Sequence, residues 1–261
     1  VDMASNFRRL IVSNDRMSRV DVLDHGYVRL VGVLGDDLTV VNAARVSFEK
    51  ESVHLRERDT RLLRYLAEHG HGSPFRHAVL SFEVYAPMMV MRQWGKYRVG
   101  SVWSFEDSDD PIETWNESSR RYVTEEPRFY VPRPEQWRSA PENKKQGSGD
   151  PISDESTTNP LTDSLDDIVG QGLRYYNMAL EQGVCAEQAR LFLPAYAMYI
   201  RARWTVSLHG VIHFLQQRLH EDAQWEIREY ARAVYQLAQP KFPESFAAFG
   251  LTEGGSECTS S

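Results

Sequence analysis

Residues Ala78 to Tyr85 alternate, with Leu80, Phe82 and Val84 on one side of the chain. A period of two fits a pleated strand with one covered face and fits no helix. Pro87 follows at once and predicts a helix through Met88, Val90, Met91 and Trp94, because proline suits a first helical turn. A strand that runs straight into a helix limits the chain to folds in which helices cover a sheet.

The segments around this pair extend the pattern. Tyr27 to Val33 and Leu38 to Val41 are β-branched runs flanking Gly35-Asp36-Asp37, which reads as a hairpin. Arg58 to His69 places Leu62, Leu63, Tyr65 and Leu66 at helical spacing, and Gly70 supplies a stop. HGSPFRH, with His71, Ser73 and His77, reads as a turn-rich loop. Val102 to Trp115 is an acidic excursion containing Pro111, and residues 133–163 are loop-rich. From Leu161 the period turns helical, with Leu165, Ile168, Leu173, Tyr176 and Leu180 as the expected buried stripe. Ala186 to Ile200 reads as a helix kinked at Pro194. Two more helices follow through Leu237, ended by Pro240 and Pro243. No repeat and no clear linker appears, so residues 1–261 are expected to form a single α+β domain, an α/β half followed by a helical half.

Composition excludes several classes. The formal charge is −7 and the pI about 5.7, which argues against a nucleic-acid binder, although a local basic cleft can still hold a small anion. Cys185 and Cys258 are the two cysteines, too few for a disulfide framework or a metal-ligand cluster. No metal, no membrane span and no signal-peptide core are expected, and the chain is placed in a reducing cytoplasm.

The chemistry concentrates between Arg92 and Tyr122. Arg92, Gln93, Lys96 and Arg98 lie before the acidic excursion, and Asn116, Glu117, Ser118, Ser119, Arg120 and Arg121 after it. Guanidinium forks, hydroxyls and amides in this density suit a phosphate or a planar heterocycle. Arg218 and Arg190 sit among apolar neighbours. A buried arginine must find a partner, either a protein carboxylate or an anionic ligand. HExxH, GxSxG, the P-loop and GxGxxG are all missing, so a flavin or nicotinamide would bind outside a Rossmann fold.

GHGSPFRH, the strand and APMMVMRQW after it, KYRVGS with WNESSRRY, ARLFLP, RWTVS and FLQQRLHEDAQWEIR resemble, in order, the core of the flavin-dependent thymidylate synthases. The resemblance implies a mixed or antiparallel sheet with helices, assembled as a homotetramer with sites shared between subunits. It implies FAD as cofactor, with NADPH and methylenetetrahydrofolate as co-substrates. The reaction is methylation of C5 of a uridine monophosphate, dUMP to dTMP, without a cysteine nucleophile. A UMP-preferring or dual relative, of the kind found in polyoxin-type antibiotic pathways, is the alternative. A degenerate nucleotide-binding protein is the third.

Carried over by this resemblance, Arg218 is the catalytic candidate, placed at the pyrimidine. Gln93, Lys96, Glu117, Ser118, Ser119, Arg120, Arg121 and Arg190 are its companions at the substrate. His71, Ser73, Tyr97, Arg98, Val99, Asn116, Ser207, Leu208, His209 and His213 match or neighbour flavin positions. The sequence departs from the family at Lys96 and Tyr97, where the signature begins Arg-His, at Arg76, where Glu is common, and at Ser207, where Asn is usual.

Overall fold

The computed structural model describes residues 18–46, 51–97, 112–119, 126–141 and 147–251. Five antiparallel strands form one sheet in the order β1-β2-β3-β5-β4. They are β1 (Arg19–Val22), β2 (Gly26–Leu34), β3 (Val79–Pro87), β4 (Thr114–Glu117) and β5 (Tyr199–Ser207). The alternation in β3 is realised, with Leu80, Phe82 and Val84 fully buried. Each faces an apolar partner on β5, since Leu80 pairs with Val206, Phe82 with Trp204 and Val84 with Ala202. Burial of a side chain of this size stabilises by about 1.5–3 kcal/mol.

Helices cover this face. They include α1 (Asp37–Ala44), α2 (Glu57–Glu68), α3 (Met88–Trp94), α4 (Glu155–Glu181), α5 (Ala186–Ala189), α6 (Leu208–Arg218), α7 (Trp225–Ala238) and α8 (Pro243–Ala248). At the centre Trp94 of α3 stacks on Phe214 of α6 and meets Trp204 of β5 edge-on. The opposite sheet face carries Glu83, which accepts from Arg29 and from the Tyr27 hydroxyl at 2.9 Å each. Burial pushes the Glu83 carboxyl up, but these bonds and the Arg29 and Arg203 charges outweigh it and hold it below its ordinary value.

Several expectations are corrected. Gly35-Asp36-Asp37 is a strand-to-helix junction and not a hairpin turn. Gly35 takes φ +85°, Asp36 accepts from the Thr39 N–H at 2.9 Å, and Thr39 Oγ1 accepts from the Asp36 N–H. This reciprocal cap outweighs the β-propensity of Val40 and Val41, which are buried as helical residues. The hairpin is β1–β2. Helix α4 begins at Glu155, capped by Asp154, and includes Pro160. Its buried stripe is Val169, Gly172, Tyr176 and Ala179, whereas Ile168 and Leu180 are exposed. Gly172 sets this rotation, because a Cβ there would lie 2.7 Å from the Phe192 carbonyl.

The expected helix over Ala186 to Ile200 is short helix α5, a 3-10 turn at Arg190–Phe192 and then strand β5. Pro194 lies in the turn between them. The second half of the chain therefore supplies an inner strand of the sheet, and the division into an α/β half and a helical half does not hold. Pro243 starts α8 instead of ending a helix. Asp37 holds that start, its carboxylate accepting from the Glu244 and Ser245 N–H groups at 2.9 Å. Of the acidic excursion, residues 102–111 lie outside the described residues, and its last two, Thr114 and Trp115, belong to β4.

Asp59 ties α1 to α2. Its carboxylate is fully buried, pairs with Arg45 and accepts from the Arg56 N–H at 2.9 Å. Burial pushes this carboxyl up, yet the Arg56 bond and the Arg45 charge prevail and its value is lowered. A carboxyl whose folded value lies below its unfolded value, about 3.9, stabilises fully above that value and loses the contribution as pH falls through the folded value. Asp59→Asn should therefore cost about 3–5 kcal/mol at neutral pH. Urea unfolding should show the gap between variant and wild type narrowing below about pH 4. A gap independent of pH would contradict the assignment.

Candidate active site

Strand β4 builds the first part of the site. Pairing with β5 sets Asn116 opposite Arg203 and Glu117 opposite Ala202, so the two side chains point to opposite faces. Ser118 extends the pairing by donating its N–H to the Arg201 carbonyl at 2.7 Å, while its hydroxyl accepts from the Arg201 N–H at 3.1 Å. Asn116, Glu117, Ser118 and Ser119 line a cavity of about 610 Å³ together with Arg190, Met88, Trp115, Met198 and Ile200. The five candidates converge although Ser119 and Arg190 are far apart in sequence. Arg190 was expected near the core. It is exposed instead, because it sits in a 3-10 turn where its Nε donates to the Glu187 carbonyl at 3.2 Å. The guanidinium is thus presented to solvent and to the cavity. Arg120 and Arg121 lie outside the described residues.

Arg218 forms the second part. It ends α6, is 6% exposed and donates through Nη2 to the Gln93 carbonyl at 2.6 Å. The partner expected from sequence was a carboxylate or a ligand. Among its partners the fold supplies a main-chain carbonyl near the end of α3, which carries the negative end of the helix dipole. This bond fixes the position of the guanidinium. Gln93 also lines a second cavity, of about 560 Å³, that shares no lining residue with the first. Lys96 is exposed in the 3-10 turn Gly95–Tyr97.

The flavin candidates gather where the HGSPFRH segment meets the start of α6. That segment is a 3-10 turn over Ser73–His77 rather than an irregular loop. A Cβ on Gly72 would stand 2.6 Å from His209 Nε2, so the glycine lets the His209 ring lie against this turn. His209 and His213 are one turn apart on α6, and burial pushes the His213 imidazole below its ordinary value. His213 is therefore neutral at pH 7 and able to donate and accept. His71 and Ser73 are exposed nearby in sequence, and the His71 ring lies nearly parallel to that of His69.

Two candidates differ from expectation. Ser207 is fully buried and its hydroxyl accepts from the Gly210 N–H at 3.0 Å, capping α6. Leu208 is buried in the core and its N–H donates to the Ala78 carbonyl. Neither side chain projects into open space. Of Tyr97 the backbone alone is described, and Arg98 and Val99 lie outside the described residues. Where Gly72 meets His209, the imidazole edge and the bare glycine backbone fit the edge of a planar heterocycle such as a flavin. Among the described residues no cluster of His, Cys, Asp or Glu is placed to hold a metal ion. No described helix is long and apolar enough to cross a membrane.

Residues 29–244 match the family model described as thymidylate synthase complementing protein. A flavin-dependent thymidylate synthase of Thermus thermophilus is 39% identical over 230 residues, covering 88% of this chain and 77% of the relative. The Thermosipho africanus flavin-dependent thymidylate synthase is 36% identical over 228 residues, covering 87% and 92%. Among solved structures, the UMP/dUMP methylase PolB from Streptomyces cacaoi bound with 5-Br dUMP superposes with a TM-score of 0.73 at 26% identity, covering 91% of this chain and 100% of PolB. The same enzyme bound with 5-Br UMP gives 0.71.

Proposed function

Because the chain belongs to the flavin-dependent thymidylate synthase family, we propose that it methylates C5 of a uridine monophosphate, converting dUMP to dTMP. Methylenetetrahydrofolate supplies the one-carbon unit and NADPH the two electrons that bring it to the methyl level. The C5 hydrogen leaves as a proton, and tetrahydrofolate and NADP⁺ are released. Bound FAD supplies the hydride chemistry between reductant and one-carbon unit.

The observation that carries this reading is the buried Arg218 guanidinium fixed on the Gln93 carbonyl, together with the cavity that gathers Asn116 to Ser119 and Arg190. Arg218 is a preorganised cation for the negative charge that develops on the pyrimidine when C5 attacks a carbon electrophile. Ser118, Ser119 and Arg190 offer hydroxyl and guanidinium donors to the phosphate, and Arg120 and Arg121 extend that set. Lys96 contributes a point charge where the family signature has a fork. His71, Ser73, His209 and His213, with Asn116, Tyr97, Arg98, Val99 and the backbone of Ser207 and Leu208, would hold the flavin. Cys185 is exposed at the start of α5 and lines neither cavity, in keeping with a reaction that uses no thiolate on C6.

Arg190 lines the first cavity and Gln93 the second, and neither lining includes Arg218 or Lys96. Family membership supports a homotetramer in which a complete site takes Arg190 from one subunit and Arg218 from another. A cytoplasmic location suits this activity.

A second reading is favoured by the structural likeness to PolB, a methylase of both UMP and dUMP. The substrates differ by one 2′-hydroxyl, and a site that hydrogen-bonds it rejects the deoxy analogue strongly. Purified enzyme should show a bound-flavin spectrum, and kcat/KM for dUMP should exceed that for UMP. A higher value for UMP would overturn the thymidylate assignment in favour of the second reading.

A further inference from the structure

Strand β4 and the two serines after it carry four of the residues that line the first cavity. The strand is poorly suited to hold them still. It is four residues long, lies at the edge of the sheet and pairs with β5. Asn116, Glu117 and Ser118 are exposed. A short, exposed edge strand opens locally at little cost unless side chains tie it to the core.

Glu113 supplies such a tie. It precedes the strand and is the last carboxylate of the acidic excursion. Its Oε1 accepts from the Trp204 indole N–H at 2.9 Å. Trp204 is a rigid anchor, being 1% exposed, stacked on Phe82, edge-on to Trp94 and packed against Phe214. An indole has a single donor and no acceptor, and a buried donor left without a partner is unfavourable. A charged acceptor makes this bond stronger than one between neutral groups. The tie reaches the strand close to the site, because Trp204 is also the ladder partner of Trp115, which precedes Asn116. Glu113 itself lines neither cavity, so its influence on a ligand there passes through the strand.

We propose that Glu113 is a positioning residue for the nucleotide, whose bond to Trp204 holds β4 so that Asn116, Glu117, Ser118 and Ser119 keep their places around the cavity they share with Arg190. The proposal rests on the reading of that cavity as the nucleotide site. Its sign separates it from plain electrostatics. A carboxylate near a bound phosphate repels it, so removing Glu113 for its charge alone would tighten nucleotide binding. Removing a positioning bond loosens it. Glutamine separates the two further, since its amide oxygen accepts from the indole as the carboxylate does but carries no charge.

Two variants of the purified full-length flavoprotein, Glu113→Ala and Glu113→Gln, test it by steady-state kinetics with dUMP and by hydrogen exchange. Glu113→Ala should raise KM about tenfold, in line with the loss of a hydrogen bond to a charged group. Its kcat should stay within about twofold of wild type, because the lost binding is shared by ground and transition states. Glu113→Gln should keep KM within about threefold of wild type. Amide exchange over residues 113–119 should quicken in the alanine variant and stay near wild type in the glutamine variant. Thermal melts matching wild type show that both variants are folded. An unchanged or lower KM in Glu113→Ala, or a glutamine variant no better than the alanine one, would overturn the proposal. If exchange follows the expected pattern while wild type methylates no nucleotide, the reaction assignment fails and the tie of β4 through Glu113 stands.

Discussion

Arg218→Ala is expected to lower kcat/KM for nucleotide methylation by at least about 10²–10³-fold, the loss typical of one preorganised group that stabilises transition-state charge. The expectation follows from burial and from the bond to α3. Arg218 is 6% exposed, and the Gln93 carbonyl fixes its position. That bond orients the guanidinium that the proposed reaction sets against the pyrimidine. Arg218→Lys keeps the charge but loses the fork and its geometry, so it should recover a small part of the activity. Melting temperature and oligomeric state should stay close to wild type in both variants. Loss of activity that tracks loss of folding would make Arg218 a structural residue. Near-normal turnover by a folded Arg218→Ala protein would remove it from the catalytic role.

Mixing two inactive proteins should restore activity. Arg190→Ala removes a proposed phosphate donor at the first cavity, and Arg218→Ala the cation held by Gln93. Each alone should be nearly inactive. If a complete site draws Arg190 from one subunit and Arg218 from another, random mixed tetramers made by co-expression carry both wild-type groups at about a quarter of their sites. Activity near a quarter of wild type is the expected result. Mixtures no more active than the separate variants would place both residues in the same chain's site. The test is independent of which uridine nucleotide is preferred.

Local patterns carried much of the fold. Alternation marked β3, and Pro87 marked the start of α3, because both signals act within a few residues. Where competing local signals coincided, the weaker one misled. Val40 and Val41 favour a strand, but the reciprocal Asp36–Thr39 cap decides for a helix. Strand β5 had a readable alternation of Ile200, Ala202, Trp204 and Val206, obscured by extending the helix begun at Ala186. The buried side of α4 was not legible, since it is set by the approach of Gly172 to the backbone at Phe192.

The candidate site divides along the same line. NESS and Arg190 belong to motifs visible in sequence, and the fold brings them to one cavity. The exposure of Arg190 and the carbonyl partner of Arg218 are tertiary facts with no sequence signal. Ser207 shows the limit of carrying roles by position, because its hydroxyl caps α6 and is buried. The second cavity draws on two of those motifs, through Gln93 in APMMVMRQW and Glu226 in FLQQRLHEDAQWEIR, and on Tyr130, which belongs to none. Its walls come from segments separated by about a hundred residues, joined by packing of a kind that sequence periodicity does not report.

The direct measurement of methylation is mass spectrometry and proton NMR of the nucleotide after incubation of the flavin-bound enzyme with NADPH, methylenetetrahydrofolate and dUMP. The expected product carries one added methyl group at C5 and forms only when the folate is present. An unmodified nucleotide, from dUMP and UMP alike, with flavin bound and NADPH oxidised, would contradict the assignment.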